Sequence, residues 1–156
     1  MLSGEIFDSI SPLDHRSRAS NPELFERLSR YMSGTASVRY CLRVEAALTA
    51  AHAEREGVGN DAEIEQLEAA AGNIDAAEVY QEEEKTHHNL RAVVNVFKRH
   101  IPEELRPLVH LGATSVDILD TAQAMRFRDA TLELLLPMVE ALLVELIRLT
   151  EEHADT

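Results

Sequence analysis

Three short segments of the 156-residue chain carry residue types that can bind anions or move protons, and the range His110–Asp117 is the richest of them. Thr114 or Ser115 is a candidate N-cap for a long predicted helix, and Asp117 suits the positive end of that helix. The same stretch offers two hydroxyls and free N–H groups to a carboxylate or phosphate, and Gly112 lets a ligand approach the backbone closely. The residues alone leave both interpretations open, a helix cap and an anion site.

The second segment, Glu84–Asn89, contains the adjacent pair His87 and His88. In a continuous helix, His87 falls at the edge of an apolar stripe and His88 on the opposite face. Histidine titrates near neutral pH and therefore suits proton transfer, although a surface histidine beside a core-edge histidine gives the same pattern. No cysteine or acidic residue stands three or four positions after His88, so we expect no metal site.

The third segment, Ser11–Arg18, places Arg16 and Arg18 ahead of the first strong helix signal. Arginines in this position suit a phosphate group, but they are also common in a solvated N-terminal arm. Glycine-rich phosphate loops, paired Cys-x-x-Cys motifs and the Gly-x-Ser-x-Gly nucleophile motif are absent from the sequence. Cys41 lies in an apolar helical pattern, which predicts a core position.

The elements that must position these segments are all helical, because sustained period-2 alternation is missing and helix punctuation is clear. We therefore predict an all-α fold. Asn60 and Glu63 form a capping-box pattern, and Gly57 suits a left-handed helix end. The predicted helices run from Glu23 to Met32, from about Ala36 to Glu56, from Asn60 to Gly72, from Asp75 to about His100, and from about Val116 to His153.

The last predicted helix is apolar around almost its whole circumference between Leu132 and Leu149, with Pro137 as a candidate kink. A helix of this kind must be buried on more than one side. The preceding helices cannot easily supply that cover. We therefore expect self-association or a further C-terminal part.

Composition and charge restrict the partners. The formal net charge of −13 argues against nucleic acid or an anionic membrane surface as the main partner. No apolar stretch is free enough of charge to span a membrane, and the first residues do not resemble a signal peptide. The single cysteine favours a reducing cytosol, so a cytoplasmic location is expected.

The three segments together resemble the fumarase/aspartase superfamily and, within it, the adenylosuccinate lyase family. His110–Asp117 is similar to the family's His-x-Gly-x-Thr-Ser-x-Asp segment, and Lys85–Asn89 resembles its His-Asp motif. Ser11–Arg16 is similar to its N-terminal Ser-Pro-Leu-Asp-x-Arg segment. The order and spacing of all three agree over nearly the whole chain.

The resemblance implies a β-elimination that releases fumarate from a succinyl-amino nucleotide, with no metal or organic cofactor. It also implies a helical domain over residues 1–110, the start of a central helical bundle over residues 111–156, and a homotetramer that binds a small nucleotide substrate. By the same resemblance, Arg16 contacts the phosphate, with Ser17 beside it. His87, His88 and Asn89 line the pocket, and His88 transfers a proton to the leaving nitrogen. His110 positions the substrate, and Thr114 and Ser115 bind a carboxylate.

Some family features differ or are missing. Ser17 replaces a tyrosine and Asn89 an aspartate, and the later Thr-His-Gly-x-His-Ala and Gly-Ser-Ser-x-Met-Pro-x-Lys motifs do not occur. We therefore expect an N-terminal part of such a lyase that is inactive by itself. Two alternatives are a 3-carboxymuconate cycloisomerase-like enzyme, which shares a similar His-x-Gly-Ala-Thr-Ser-x-Asp segment, and a non-catalytic helical oligomerisation module.

Overall fold

A computed structural model of the chain describes residues 9–10 and 14–155, with the backbone alone for residues 14–16. Over these residues the fold is all-α, as predicted. The α-helices are α1 (Asp14–Ser20), α2 (Pro22–Met32), α3 (Gly34–Glu56), α4 (Asp61–Asn73), α5 (Ala76–Thr86), α6 (Asn89–Arg99), α7 (Ser115–Ala130) and α8 (Leu136–Glu152). A 3₁₀ helix (Glu103–Leu108) lies between α6 and α7, and a π-helical turn (Thr131–Leu135) joins α7 to α8.

Capping residues set several helix ends where the sequence placed them. Asn60 accepts from the Glu63 amide at 3.1 Å while the Glu63 carboxylate accepts from the Asn60 amide at 2.8 Å, so the predicted capping box is confirmed. Gly57 ends α3 in the left-handed conformation with φ 66°. Ser33 ends α2 and also begins α3, because its hydroxyl accepts from the Ala36 amide at 3.1 Å. One serine therefore separates two consecutive helices.

The prediction of one helix from Asp75 to about His100 was wrong. The helix is interrupted at His87, which takes a left-handed φ of 52°, and a new helix begins at Asn89. The Thr86 hydroxyl donates to the His88 carbonyl at 3.1 Å and accepts from the His88 amide at 3.4 Å. These local bonds compete with the helical hydrogen bonds, which explains a break without glycine or proline.

Helix α3 is the centre of the fold. Tyr40, early in α3, donates to Asp129 near the end of α7, whereas His52, late in α3, lies 3.0 Å from the Leu111 carbonyl just before α7. The two helices are therefore antiparallel, and this arrangement carries the first turn of α7 to the C-terminal half of α3. The largest fully buried apolar side chains of the core are Leu42, Leu67, Leu90, Phe97, Leu105 and Ile118.

The π-helical turn ends two residues before Pro137, which cannot donate a backbone hydrogen bond. The Leu136 amide instead reaches the Thr131 carbonyl, five residues back, so the helix widens by one residue and continues. Beyond it, no residue of α8 is buried, and its apolar side chains lie on the surface. Within the described ranges, no helix has the length and apolar character needed to cross a membrane.

Candidate functional site

The N-terminus of α7 begins after two residues in the left-handed conformation, His110 with φ 63° and Gly112 with φ 72°. The Asp117 carboxylate accepts from the Thr114 amide at 2.8 Å and from the Thr114 hydroxyl at 3.1 Å. These bonds hold the pKa of Asp117 below its usual range. Thr114 therefore takes part in the helix cap, as the simpler interpretation of the sequence predicted.

Ser115 differs from Thr114 in its contacts. Its side chain is half-buried and has no side-chain hydrogen bond within the part of the chain that the structure describes. Its hydroxyl and the amides of the first helical turn stand at the positive end of a 16-residue helix. This arrangement suits a carboxylate or phosphate, because the donors require no rearrangement to meet it.

His110 lies directly before this turn and points back toward α3. Its Nδ1 lies 2.7 Å from a carboxylate oxygen of Glu45, a fully buried residue in the middle of α3. The imidazole itself is about one quarter exposed, 24% by side-chain area. His110 is therefore held from one side and open on another.

The segment Glu84–Asn89, called the histidine segment below, lies at the junction of α5 and α6. His87, His88 and Asn89 are all exposed, so His87 does not lie at the edge of an apolar stripe. Instead, the His87 amide donates to the Glu83 carbonyl at 2.8 Å and ends α5. His88 is the N-cap of α6, where its Nδ1 accepts from the Arg91 amide at 3.2 Å. The prediction that His88 lies opposite the stripe on one helix is corrected accordingly, because the break removes the shared helical face.

A cavity of about 300 Å³ connects the histidine segment with α7. Asn89 lines it from the first residue of α6, and Leu119 lines it from α7, one turn beyond Ser115. Cys41 lies in its wall and is buried as predicted, which raises the pKa of the thiol to about 11 and keeps it neutral. The structure therefore brings Asn89 and α7 to one cavity, while no hydrogen bond joins His88 to His110 among the described residues.

The segment Ser11–Arg18, which contains Arg16, is described only in part. Residues 11–13 lie outside the described residues, and Arg16 is described by its backbone in α1 alone. Ser17 is in α1 with an exposed side chain. The predicted phosphate contact of this segment stays a prediction.

Glu45 and His52 are the polar residues at this site that the sequence did not reveal. Glu45 was detectable only as a lone acidic residue within an apolar stretch, and its partner is 65 residues away. Similarly, the contact of His52 is with the Leu111 carbonyl, which is 59 residues away in the chain. Among the described residues, no group of three or more His, Cys, Asp or Glu side chains is arranged to hold a metal ion.

Comparison with known proteins finds adenylosuccinate lyases. The chain is 34% identical to the adenylosuccinate lyase of Aquifex aeolicus over 116 residues, which are 74% of this chain and 26% of that protein. It is 31% identical to the adenylosuccinate lyase of Pyrococcus abyssi over 153 residues, which are 95% of this chain and 31% of that protein. The chain thus spans less than a third of the length of these curated relatives. No family model matches the chain, and no solved structure matches it.

Proposed function

Because this chain is a homologue of adenylosuccinate lyases over most of its length, we propose that it supplies part of an active site that eliminates fumarate from a succinyl-amino nucleotide. The proposed substrates are adenylosuccinate and the related succinyl-aminoimidazole-carboxamide nucleotide of purine synthesis. The observation that carries the proposal is the N-terminus of α7, where the Ser115 hydroxyl has no hydrogen-bond partner among the described residues and stands beside the amides of the first helical turn. In the same way, residues 1–110 and 111–156 are proposed as an N-terminal helical domain and the start of a central bundle.

The elimination begins with removal of a carbon-bound proton beside a carboxylate, so negative charge builds on that carboxylate. Donors that already point at the charge stabilise the transition state more than the ground state. We assign this task to Ser115 and the first amides of α7, with Thr114 completing the turn through its bonds to Asp117. His110 positions the substrate from the loop before the helix.

The leaving nitrogen needs a proton, and a histidine suits that transfer near neutral pH. His88 is the proposed donor, with His87 and Asn89 beside it at the junction of α5 and α6. Asn89 supports this placement because it lines the cavity that reaches α7. Arg16, with Ser17 beside it, is proposed to contact the phosphate of the nucleotide. No metal or organic cofactor has a part in this scheme.

We further propose that the 156-residue chain alone does not turn over substrate and that the working enzyme is a homotetramer in the cytoplasm. The exposed apolar surface of α8 supports association with further helices. The open position of the histidine segment, with all three residues exposed, supports a site completed by other residues. Fumarate release from adenylosuccinate by the purified chain would contradict the first part of this proposal.

The test of the site uses fumarate as a probe of the carboxylate position. Calorimetric titration of the chain and its Ser115→Ala variant should show at least about a tenfold weaker Kd for the variant, since a hydrogen bond to a charged group is lost. Thr121→Ala is the matched control, because its hydroxyl lies on the same helix but donates to the Asp117 carbonyl at 2.6 Å. Equal Kd values for the chain and Ser115→Ala would show that the Ser115 hydroxyl does not bind the carboxylate.

A 3-carboxymuconate cycloisomerase-like activity is the second candidate, because its His-x-Gly-Ala-Thr-Ser-x-Asp segment is very similar to His110–Asp117. Competition separates the two. Adenylosuccinate should displace fumarate from the site, whereas displacement by a carboxymuconate and not by adenylosuccinate would favour the cycloisomerase. A chain that binds none of the three would count against the proposed carboxylate site at Ser115.

A further inference from the structure

Glu45 is an unusual residue for its position in the core. Its side chain is fully buried in the middle of α3, where the neighbouring buried residues Leu42 and Ala46 are apolar. A buried carboxylate is unfavourable unless it is paired and fully hydrogen-bonded. Burial raises the pKa of the Glu45 carboxyl, and the hydrogen bond with His110 opposes that rise.

The pairing of Glu45 is incomplete. Its Oε1 lies 2.7 Å from the His110 Nδ1, but its buried Oε2 has no hydrogen-bond partner among the described residues. An apolar side chain would fit the core with less desolvation, so packing does not explain a carboxylate here. Among the described residues, His110 is the one polar partner of the Glu45 side chain.

His110 also has an uncommon backbone conformation. A φ of 63° is uncommon for a residue other than glycine, and such conformations persist where the surrounding structure holds them. The charged groups that act on the pair are Lys98 on α6, which favours the ionised Glu45, and Asp117 on α7, whose ionised form His110 favours. His110 therefore acts on two carboxylates, through a hydrogen bond on the buried one of Glu45 and through its charge on the one of Asp117 that caps α7.

We propose that Glu45 is a positioning residue for His110, whose Nδ1–H it accepts so that Nε2 is the nitrogen presented to the substrate. This inference rests on the proposed function, in which His110 positions the substrate. With the proton fixed on Nδ1, the neutral ring carries its lone pair on Nε2, and the protonated ring carries a second N–H there. Proton exchange and hydrogen bonding to a ligand then occur at one nitrogen, because Glu45 occupies the other.

The tautomer of His110 in the isolated chain tests this inference without any need for activity. Long-range nitrogen-15 NMR of the histidine rings should show the neutral His110 ring protonated at Nδ1. Glu45→Met removes the acceptor and keeps a side chain of similar size. In this variant the preference for Nδ1 should be lost, and the Nε2–H tautomer should predominate. Glu45→Gln, which keeps the shape and can both accept and donate, should show both tautomers. An Nε2–H ring in the unaltered chain, or an unchanged tautomer in both variants, would overturn the proposal.

The controls separate positioning from folding. Glu82→Gln removes another buried carboxylate, one that is paired with Arg99, and should leave the His110 signals unchanged. The thermal unfolding midpoint of Glu45→Met should be equal to or above that of the unaltered chain, because a buried carboxylate oxygen without a partner is removed. If Glu45→Met does not fold, Glu45→Gln decides the question.

Added fumarate separates this inference from the proposed function. It should shift the His110 Nε2 signal and leave Nδ1 in place. If fumarate shifts neither signal while the tautomer depends on Glu45, the positioning stands and the proposed carboxylate site fails. If fumarate binds but the tautomer does not depend on Glu45, the positioning fails alone.

Discussion

At the residue scale, His88 has a structural task that constrains its chemistry. Its Nδ1 accepts the Arg91 amide at 3.2 Å, so the neutral ring carries its proton on Nε2. Protonation of Nδ1 would remove that acceptor and leave one amide of α6 without its cap. The proposed proton donor is therefore also the residue that begins α6.

We expect His88→Ala to lower the free energy of unfolding by about 1 kcal/mol, the usual effect of losing an N-cap. His88→Asn should retain most of that stability, because asparagine is among the preferred N-cap residues. Urea unfolding followed by circular dichroism measures both differences. Equal stability of His88→Ala and the unaltered chain would show that the cap contributes nothing.

The sequence predicted the polar residues whose partners are near in the chain. Thr114 and Asp117 are three residues apart, and the capping pattern follows from that spacing. Glu45 and His110 could not be paired in the same way, because the antiparallel course of α3 and α7 brings them together. Periodicity places each residue on its own helix but does not specify which helices become neighbours.

At the element scale, a buried carboxylate joins α5 to α6. Glu82 on α5 accepts from the Asn95 amide group at 2.9 Å and from the Arg99 guanidinium at 2.5 Å, both on α6. These donors and Lys85 lower the pKa of Glu82 to about 2. The contact fixes the two helices on either side of the histidine junction.

The pH dependence of stability should reveal this contact. Because the pKa of Glu82 is about 2 in the folded chain against an ordinary value of 4.5, its stabilising effect is fully present above pH 4.5 and is lost as the pH falls toward 2. Glu82→Gln should therefore have a lower Tm at neutral pH, and the difference should shrink as the pH falls. Thermal unfolding across this pH range measures it.

The matched control for Glu82 is Glu84→Gln, an exposed position on the same helix. Its Tm should stay close to that of the unaltered chain at neutral pH. A difference between Glu82→Gln and the unaltered chain that is constant with pH would show that the Glu82 carboxylate does not titrate in the way described.

A second element-scale contact holds the end of α2. The half-buried Arg126 on α7 donates from Nε to the Tyr31 carbonyl at 2.6 Å and from Nη2 to the Met32 carbonyl at 2.9 Å. Two carbonyls at a helix end are thus satisfied by one planar group.

We expect Arg126→Lys to lower the free energy of unfolding by about 2 kcal/mol, because an ammonium group cannot reproduce the forked contact and hydrogen bonds to charged groups are the stronger ones. Urea unfolding measures the loss. Arg91→Lys, at an exposed position on α6, is the control and should change stability by less than about 0.5 kcal/mol. Similar values for the two variants would count against the forked contact.

Helix boundaries were predictable where the side chains carry local signals. Asn60, Gly57 and Thr114 set ends that the sequence indicated. The break at His87 was not predictable from helix propensity, because a histidine in the left-handed conformation is uncommon and the competing bonds come from Thr86. The neighbouring helix packing, including the contact through Glu82, then sets the angle at which α6 leaves the junction.

At the scale of the whole molecule, the distribution of apolar surface is uneven. Helix α3 contributes many buried residues to the core, whereas α8 has no buried residue. Leu142, Val144 and Leu146 on α8 expose more than half of their area. Single exposed apolar residues are ordinary, but a continuous surface of this kind marks a site of association. The sequence predicted this surface, since its apolar residues exceed what one helix face can bury.

The exposed apolar surface of α8 should drive self-association of the chain. The unaltered 17.4 kDa chain should sediment as an oligomer whose mass rises with concentration, because association removes apolar surface from water. The double variant Leu142→Gln/Leu146→Gln should be monomeric at the same concentrations while keeping its helical circular dichroism, since neither side chain contributes to the core. Leu111→Gln removes an exposed apolar residue outside α8 and should associate as the unaltered chain does. A monomer at every concentration, or equal association of the double variant, would show that α8 does not drive assembly.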